Sequence, residues 1–231
     1  MFMRLGAFLT GLLLAMPGQA APRPVLVELF TSQGCNSCPP ADALLGELAR
    51  RPGVVALAWH VDYWDGLGWK DRFSSHAATQ RQYDYARRLG LDNVYTPQLV
   101  IDGAAEAVGS DARAVDVAIR QAAARNAAGP SVTLATGPEG TAQVSIGDGP
   151  KGPATVWLIG YDRQQTTSIG RGENAGRSLT EYQIVRRAHK LGTWTGAAAT
   201  FPLPDKEGEA ELVLIEPDAP GPMLAVDDLA R

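Results

Sequence analysis

Val25-Leu26-Val27-Glu28-Leu29-Phe30-Thr31-Ser32-Gln33-Gly34-Cys35-Asn36-Ser37-Cys38-Pro39-Pro40 carries more structural information than any other stretch of this 231-residue chain. Its first six residues are apolar except for Glu28, which is the signature of a short buried strand. The chain's two cysteines follow, spaced C-x-x-C. Pro39 and Pro40 then suit the first turn of a helix, where a missing N–H costs little. One helical turn brings two such sulfurs within bonding distance. The leading sulfur meets the helix N-terminus, where unpaired N–H groups and the dipole favour its thiolate. The thiolate is the nucleophile of disulfide exchange, so a strand that delivers this pair to a helix is a redox arrangement.

Outward from the pair, Ala41 to Arg50 places Leu44, Leu45 and Leu48 on one helical face, and Pro52-Gly53 ends the helix. Val54 to Val61 reads as a strand buried on both faces, which makes a βαβ unit with parallel strands. Asp62 to Trp69 is an aromatic and glycine loop. A polar helix is predicted from Ser75 to Leu89, stopped by Gly90. Tyr95-Thr96-Pro97 leads into a strand over Gln98 to Ile101, Asp102-Gly103 forms a hairpin turn, and Ala104 to Val108 returns. A last helix runs from Ala112 to Ala127, capped by Ser110 or Asp111. The order β-α-β-α-β-β-α is that of a thioredoxin-like α/β core, expected over residues 21–128. Beyond Ala128-Gly129-Pro130, short apolar runs between Gly, Pro, Asp and Asn predict a smaller β-rich, sandwich-like domain over 129–231.

The N-terminus reads as a signal peptide over residues 1–20. Arg4 precedes the apolar run Leu5 to Met16, and Gly18 and Ala20 fit a signal peptidase site; the alternative is a retained anchor. Export to the periplasm or beyond is therefore expected, with no membrane attachment after cleavage. In that compartment a cysteine pair forms disulfides freely, so Cys35 and Cys38 could also be a structural staple. Zinc is disfavoured, because no second Cys or His pair stands at ligand spacing. A formal charge of −4 and the lack of a basic stretch argue against nucleic acid.

Parallel strands present their carboxyl ends on one rim, so His60 and Asp62 are expected near Cys35. His60 is either a proton partner of the thiol or a hydrogen-bonded histidine at a strand end. Asp62 reads as a cap or loop residue rather than a proton carrier. Tyr63, Trp64 and Trp69 offer either a substrate groove or core filling. Lys70, Asp71 and Arg72 read as a solvated charged face. Glu28 is a candidate proton acceptor for Cys38, or else an ion-pair or solvent-facing residue. Residues 170–177, rich in glycine, dock on the cysteine rim, bind an anion, or form a plain loop between strands.

Several blocks together resemble a known family. These are Val27 to Cys35, Cys38-Pro39-Pro40-Ala41-Asp42, His60 to Asp65, Tyr95-Thr96-Pro97-Gln98 and Gly170 to Arg177. The chain is similar to a family of exported bacterial proteins of unknown function with a thioredoxin-like fold. The resemblance implies that fold, export and a thiol–disulfide role. It also implies that Pro97 is the cis-proline facing the disulfide, with the peptide at Thr96 offering hydrogen bonds to substrate. Asn36-Ser37 replaces the Gly-Pro of ordinary thioredoxins. The leading expectation is an oxidoreductase with Cys35 as nucleophile and Cys38 resolving, acting on protein thiols or disulfides or a small thiol, without a bound cofactor. The alternatives are a Cu(I) module using both thiolates and His60, and a non-enzymatic interaction protein with a structural disulfide.

Overall fold

The computed structural model describes residues 23–206 and 208–229, so the expected signal peptide lies outside the described residues. The chain forms a mixed α/β structure with one large mixed sheet and one small antiparallel sheet. In chain order the first elements are β1 (Val25–Thr31), α1 (Pro39–Leu48), β2 (Val54–His60) and α2 (His76–Leu89). Next come β3 (Gln98–Ile101), β4 (Ala105–Val108) and α3 (Ala112–Arg125). Then follow β5 (Val132–Thr136), β6 (Ala142–Ile146), β7 (Ala154–Ser168) and β8 (Ser178–Trp194). The last strands are β9 (Ala199–Pro202), β10 (Ala210–Pro217) and β11 (Ala225–Leu229).

β1 and β2 are parallel and run in step from Val25 beside Val54 to Thr31 beside His60. β3 adds antiparallel to β1, and β4 closes the hairpin on β3. On the other side of β2, β8 joins in parallel at Ala58 and Ile184. The large sheet therefore reads β11-β10-β7-β8-β2-β1-β3-β4. The strands beyond residue 129 divide between the two sheets. Four extend the large one, while β5, β6 and β9 form the small one. The small sheet packs over the far half of the large one through Val144, Ile146, Val156, Trp194, Val213 and Ile215.

Strand alternation sorts the rest of the core. Val27 and Leu29, with Ala56 and Ala58, face α1 and α3 and meet Ala41, Leu45 and Ile119. Leu26 and Phe30, with Leu57 and Trp59, face α2 and meet Tyr85. His60 shares the alternation of Ala56 and Ala58, and Thr31 that of Leu29, so both end on the α1 face beside the cysteines. The distal half of the β7–β8 ribbon leans on that same face. Tyr182 of β8 lies so close to Gly46 of α1 that a methyl group there would stand 2.6 Å from the ring.

Candidate active site

Cys35 and Cys38 form a disulfide, with Cα atoms 5.4 Å apart. Cys38 is the N-cap of α1 and Cys35 sits in the turn before it. Both cysteines are fully buried. The exposed residues of the motif in this form are Asn36 and Ser37 between them.

Beneath the pair lies a buried set of ionisable groups. His60 Nδ1 stands 2.6 Å from Asp71 Oδ2 and 4.0 Å from Glu181 Oε1. Burial works against the imidazolium, but the charge and hydrogen bond of Asp71, helped by Glu181 and Asp42, raise its pKa to about 9. Asp71 is buried as well. Its carboxylate accepts the N–H groups of Gln33 and Phe73, both at 2.8 Å. Burial opposes ionisation there too, yet His60 and these N–H groups hold the Asp71 carboxyl below the usual range. Asp71 is thus no part of a solvated face. The loop folds it inward, with its own N–H donated to Asp65 Oδ1 at 3.1 Å.

Two further carboxyls complete the set. Asp42, whose N–H bonds to the Cys38 carbonyl at 3.1 Å, lies one helical turn past that cysteine and accepts from Thr31 Oγ1 at 2.8 Å. Burial pushes it up to about 6, against the pull of His60 and Thr31. Glu181 accepts from Gln33 Nε2 at 2.9 Å, and burial pushes it up to about 7. Gln33 ties the parts together. Its Nε2 also donates to Thr167 Oγ1 at 3.0 Å, and its Oε1 accepts from Trp69 Nε1 at 3.0 Å.

On the rim, Thr96-Pro97 is a cis peptide bond. A methyl group on Gly109 would meet Leu29, Ala41 and Pro97 at 3.0–3.1 Å, which puts Pro97 against the first turn of α1. Trp64 donates Nε1 to Thr96 Oγ1 at 2.9 Å, and its Cβ lies 3.1 Å from where a methyl group on Gly34 would stand. Half-exposed Tyr63 donates to Gln82 Oε1 at 3.2 Å. Asp62 is a loop residue held by Thr79 of α2, whose hydroxyl accepts its N–H at 2.9 Å and donates to its carboxylate; the N-cap of that helix is Ser75.

Glu28 is placed elsewhere. It alternates with Leu26 and Phe30 toward α2, on the face opposite α1, where it pairs with Arg81 Nε at 2.7 Å and accepts from Tyr85. The ion-pair alternative describes it, because a strand residue one position out of phase with Val27 and Leu29 cannot point beneath Cys38.

A family model described as "Protein of unknown function (DUF1223)" matches residues 26–215. The chain belongs to this DUF1223 family. A crystal structure of a protein from Agrobacterium tumefaciens is similar, at 31% identity and a TM-score of 0.76, covering 90% of this chain and 95% of that one. HBP35 of Porphyromonas gingivalis shares the fold at 13% identity and a TM-score of 0.61, covering 92% of this chain and 76% of that one. No curated protein matches.

In this DUF1223 protein, the region after residue 129 supplies part of the site. Glu181 and Thr167 come from the β7–β8 ribbon. Its tip, residues 170–177, docks on the cysteine loop. Asn174 Nδ2 donates to the carbonyls of Gln33 and Cys35, both at 2.9 Å. Asp42, Asp71, Glu181, Gln33 and Asn174 were not singled out as site residues from the sequence. The three family-like blocks that contain Gln33, Asp42 and Asn174 were the available signal.

Proposed function

We propose that this DUF1223 protein is an exported thiol–disulfide oxidoreductase built on a thioredoxin-like core. The observation that carries the reading is the C-x-x-C disulfide at the head of α1, set over buried His60, Asp71, Asp42 and Glu181. The β1-α1-β2-α2-β3-β4-α3 order and the cis bond at Thr96-Pro97 support the thioredoxin-like part. Arg4 and the apolar run after it support export.

In one direction, a substrate thiolate bonds to Cys35 Sγ and the Cys35–Cys38 bond breaks, its electron pair leaving on Cys38. A second substrate thiolate then attacks the mixed disulfide and releases Cys35, so the substrate is oxidised and the pair reduced. In the other direction, Cys35 attacks a substrate disulfide and Cys38 resolves it. In this reading Asp42, one turn from Cys38 and titrating near 6, exchanges that thiol's proton at neutral pH. His60, held protonated by Asp71, keeps a positive charge beside Asp42 and Glu181. Pro97, Thr96, Tyr63 and Trp64 form the rim that meets substrate.

The test is catalysed exchange with a peptide disulfide by the mature protein. Cys35→Ser is expected to abolish turnover, and Cys38→Ser to accumulate mixed disulfides. Absence of exchange in both directions across potentials from about −270 to about −120 mV overturns the reading. Export is checked by N-terminal sequencing of the exported fraction, expected to begin at Ala21; intact Met1 on membrane-bound protein overturns it.

A second reading is Cu(I) binding by both thiolates and His60. It is favoured by His60 Nε2, which is buried and has no hydrogen-bond partner among the described residues. Anaerobic Cu(I) titration of the reduced protein tests it. Binding that survives Cys35→Ser, or no binding at all, sets this reading aside.

A further inference from the structure

The sulfurs of Cys35 and Cys38 have no exposed surface, although disulfide exchange requires a thiolate to reach one of them. The segment bonded to the Cys35 turn is the tip of the β7–β8 ribbon. Asn174, itself fully buried, donates to the main-chain carbonyls of Gln33 and Cys35. Glu173 accepts the main-chain N–H of Asn36 at 3.3 Å. Arg177 braces the arrangement by donating to Asn174 Oδ1 at 3.0 Å.

The tip is a compact unit. Ile169 N–H bonds to Arg177 O at 2.9 Å and Gly176 N–H to Ile169 O at 2.8 Å. Gly172 and Gly176 take φ of 78° and 79°, which glycine adopts without penalty. Apart from Asn174, residues 170–177 are exposed, so lifting the tip opens no apolar core.

The groups it occupies are two carbonyls and one N–H of the cysteine loop's own backbone. An amide donor and a carboxylate acceptor meet them as the N–H and C=O groups of an extended polypeptide would. We propose that residues 170–177 are an autoinhibitory cover, held by Asn174 and Glu173 in place of substrate main chain. The substrate that displaces it is an extended, cysteine-containing polypeptide, whose backbone takes over the groups of Gln33, Cys35 and Asn36. This inference rests on the oxidoreductase reading. The gated step is attack of the substrate thiolate on Cys35 Sγ, with Cys38 leaving as thiolate.

The experiment measures the rate at which the oxidised protein is reduced by two thiols. One is 2-mercaptoethanol and the other a short unstructured peptide with one central cysteine. Asn174→Ala removes both amide bonds and is expected to speed reduction by about tenfold. Glu173 is exposed, so Glu173→Ala keeps the fold; it is expected to speed reduction by roughly two- to threefold. The gain is expected to be larger for the peptide, which alone can bond to the vacated main-chain groups. Wild-type rates in both variants overturn the cover and leave the oxidoreductase reading standing. Equal gains with the two thiols overturn the assignment of a polypeptide substrate. A pair that neither thiol reduces in any of the three proteins overturns the oxidoreductase reading, and this inference with it.

Discussion

At the scale of single residues, His60 sets how the site responds to pH. Burial lowers its pKa, but Asp71, Glu181 and Asp42 together raise it from 6.5 to about 9. A base held above its unfolded value stabilises the fold fully below pH 6.5, and that contribution is lost as pH rises through 9. The shift corresponds to about 3 kcal/mol. Asp42 and Glu181 have the same sign. Each is raised by burial, to about 6 and about 7, so each favours the fold when protonated and less as pH rises through those values. Thermal stability is therefore expected to fall from about pH 4, where Asp42 begins to lose its share, to about pH 9, and His60→Asn is expected to remove the His60 share, which is lost between pH 6.5 and about 9. A flat wild-type profile across that range would contradict the assignment of charge. The sequence showed His60 as a rim histidine but hid its partner. Asp71 stands between Lys70 and Arg72, a pattern that reads as solvent-facing. What buries it is the path of the loop, with Ser75 N–H on His60 O at 3.0 Å and the Val61–Ser75 bridge turning the chain inward. No periodicity encodes such a turn.

At the scale of elements, α1 owes its position to one missing side chain. Gly46 lets the Tyr182 ring of β8 lie against the helix backbone, where even an alanine methyl would stand 2.6 Å from ring carbons. Gly46→Ala improves helix propensity by about 1 kcal/mol. Overpacking costs about 1–3 kcal/mol, so in the wild-type background it is expected to cancel or outweigh that gain. In a Tyr182→Ala background the clash is gone, and the same substitution is expected to stabilise by about 1 kcal/mol. Denaturant melts of the four proteins check this; equal effects in the two backgrounds would sink the contact. The elements around the cysteines were legible because each is locally patterned. Pro39 and Pro40 mark the start of α1, Gly90 ends α2, and Asp102-Gly103 turns β3 into β4. β7 and β8 were legible only in their apolar halves. Their outer halves, such as Gln164 to Ser168, are polar on the open face and carry no strand signal of their own. Those outer halves bring Thr167, Glu181 and Asn174 to the site.

At the scale of the molecule, the sheet order is what the sequence could least convey. β2 meets β8 through Ala58 and Ile184, a pairing no local pattern announces. Its consequence is a shared core. Leu26, Phe30, Leu57 and Trp59 from before residue 128 pack in one cluster with Ile159, Tyr161, Leu212 and Leu214 from after it. Polar contacts cross the same line, since Gln33 bonds to Thr167 and Glu181, and Arg81 of α2 bonds to Glu216 of β10 at 3.2 Å. A chain cut near residue 128 would uncover the part of that face of β1 and β2 that α2 does not cover. It would also leave Glu28 and Arg81 without the Glu216 end of their network. Fully burying each large apolar side chain contributes about 1.5–3 kcal/mol. Losing part of that burial at four such residues is thus a large fraction of the whole stability of a domain, about 5–15 kcal/mol. Residues 21–128 alone are therefore expected to show no cooperative thermal transition, while residues 21–231 unfold in one. Circular dichroism melts of the two proteins decide it. A fragment that melts cooperatively on its own would show that the shared cluster is dispensable, and that the cysteine site stands without the strands that now brace it.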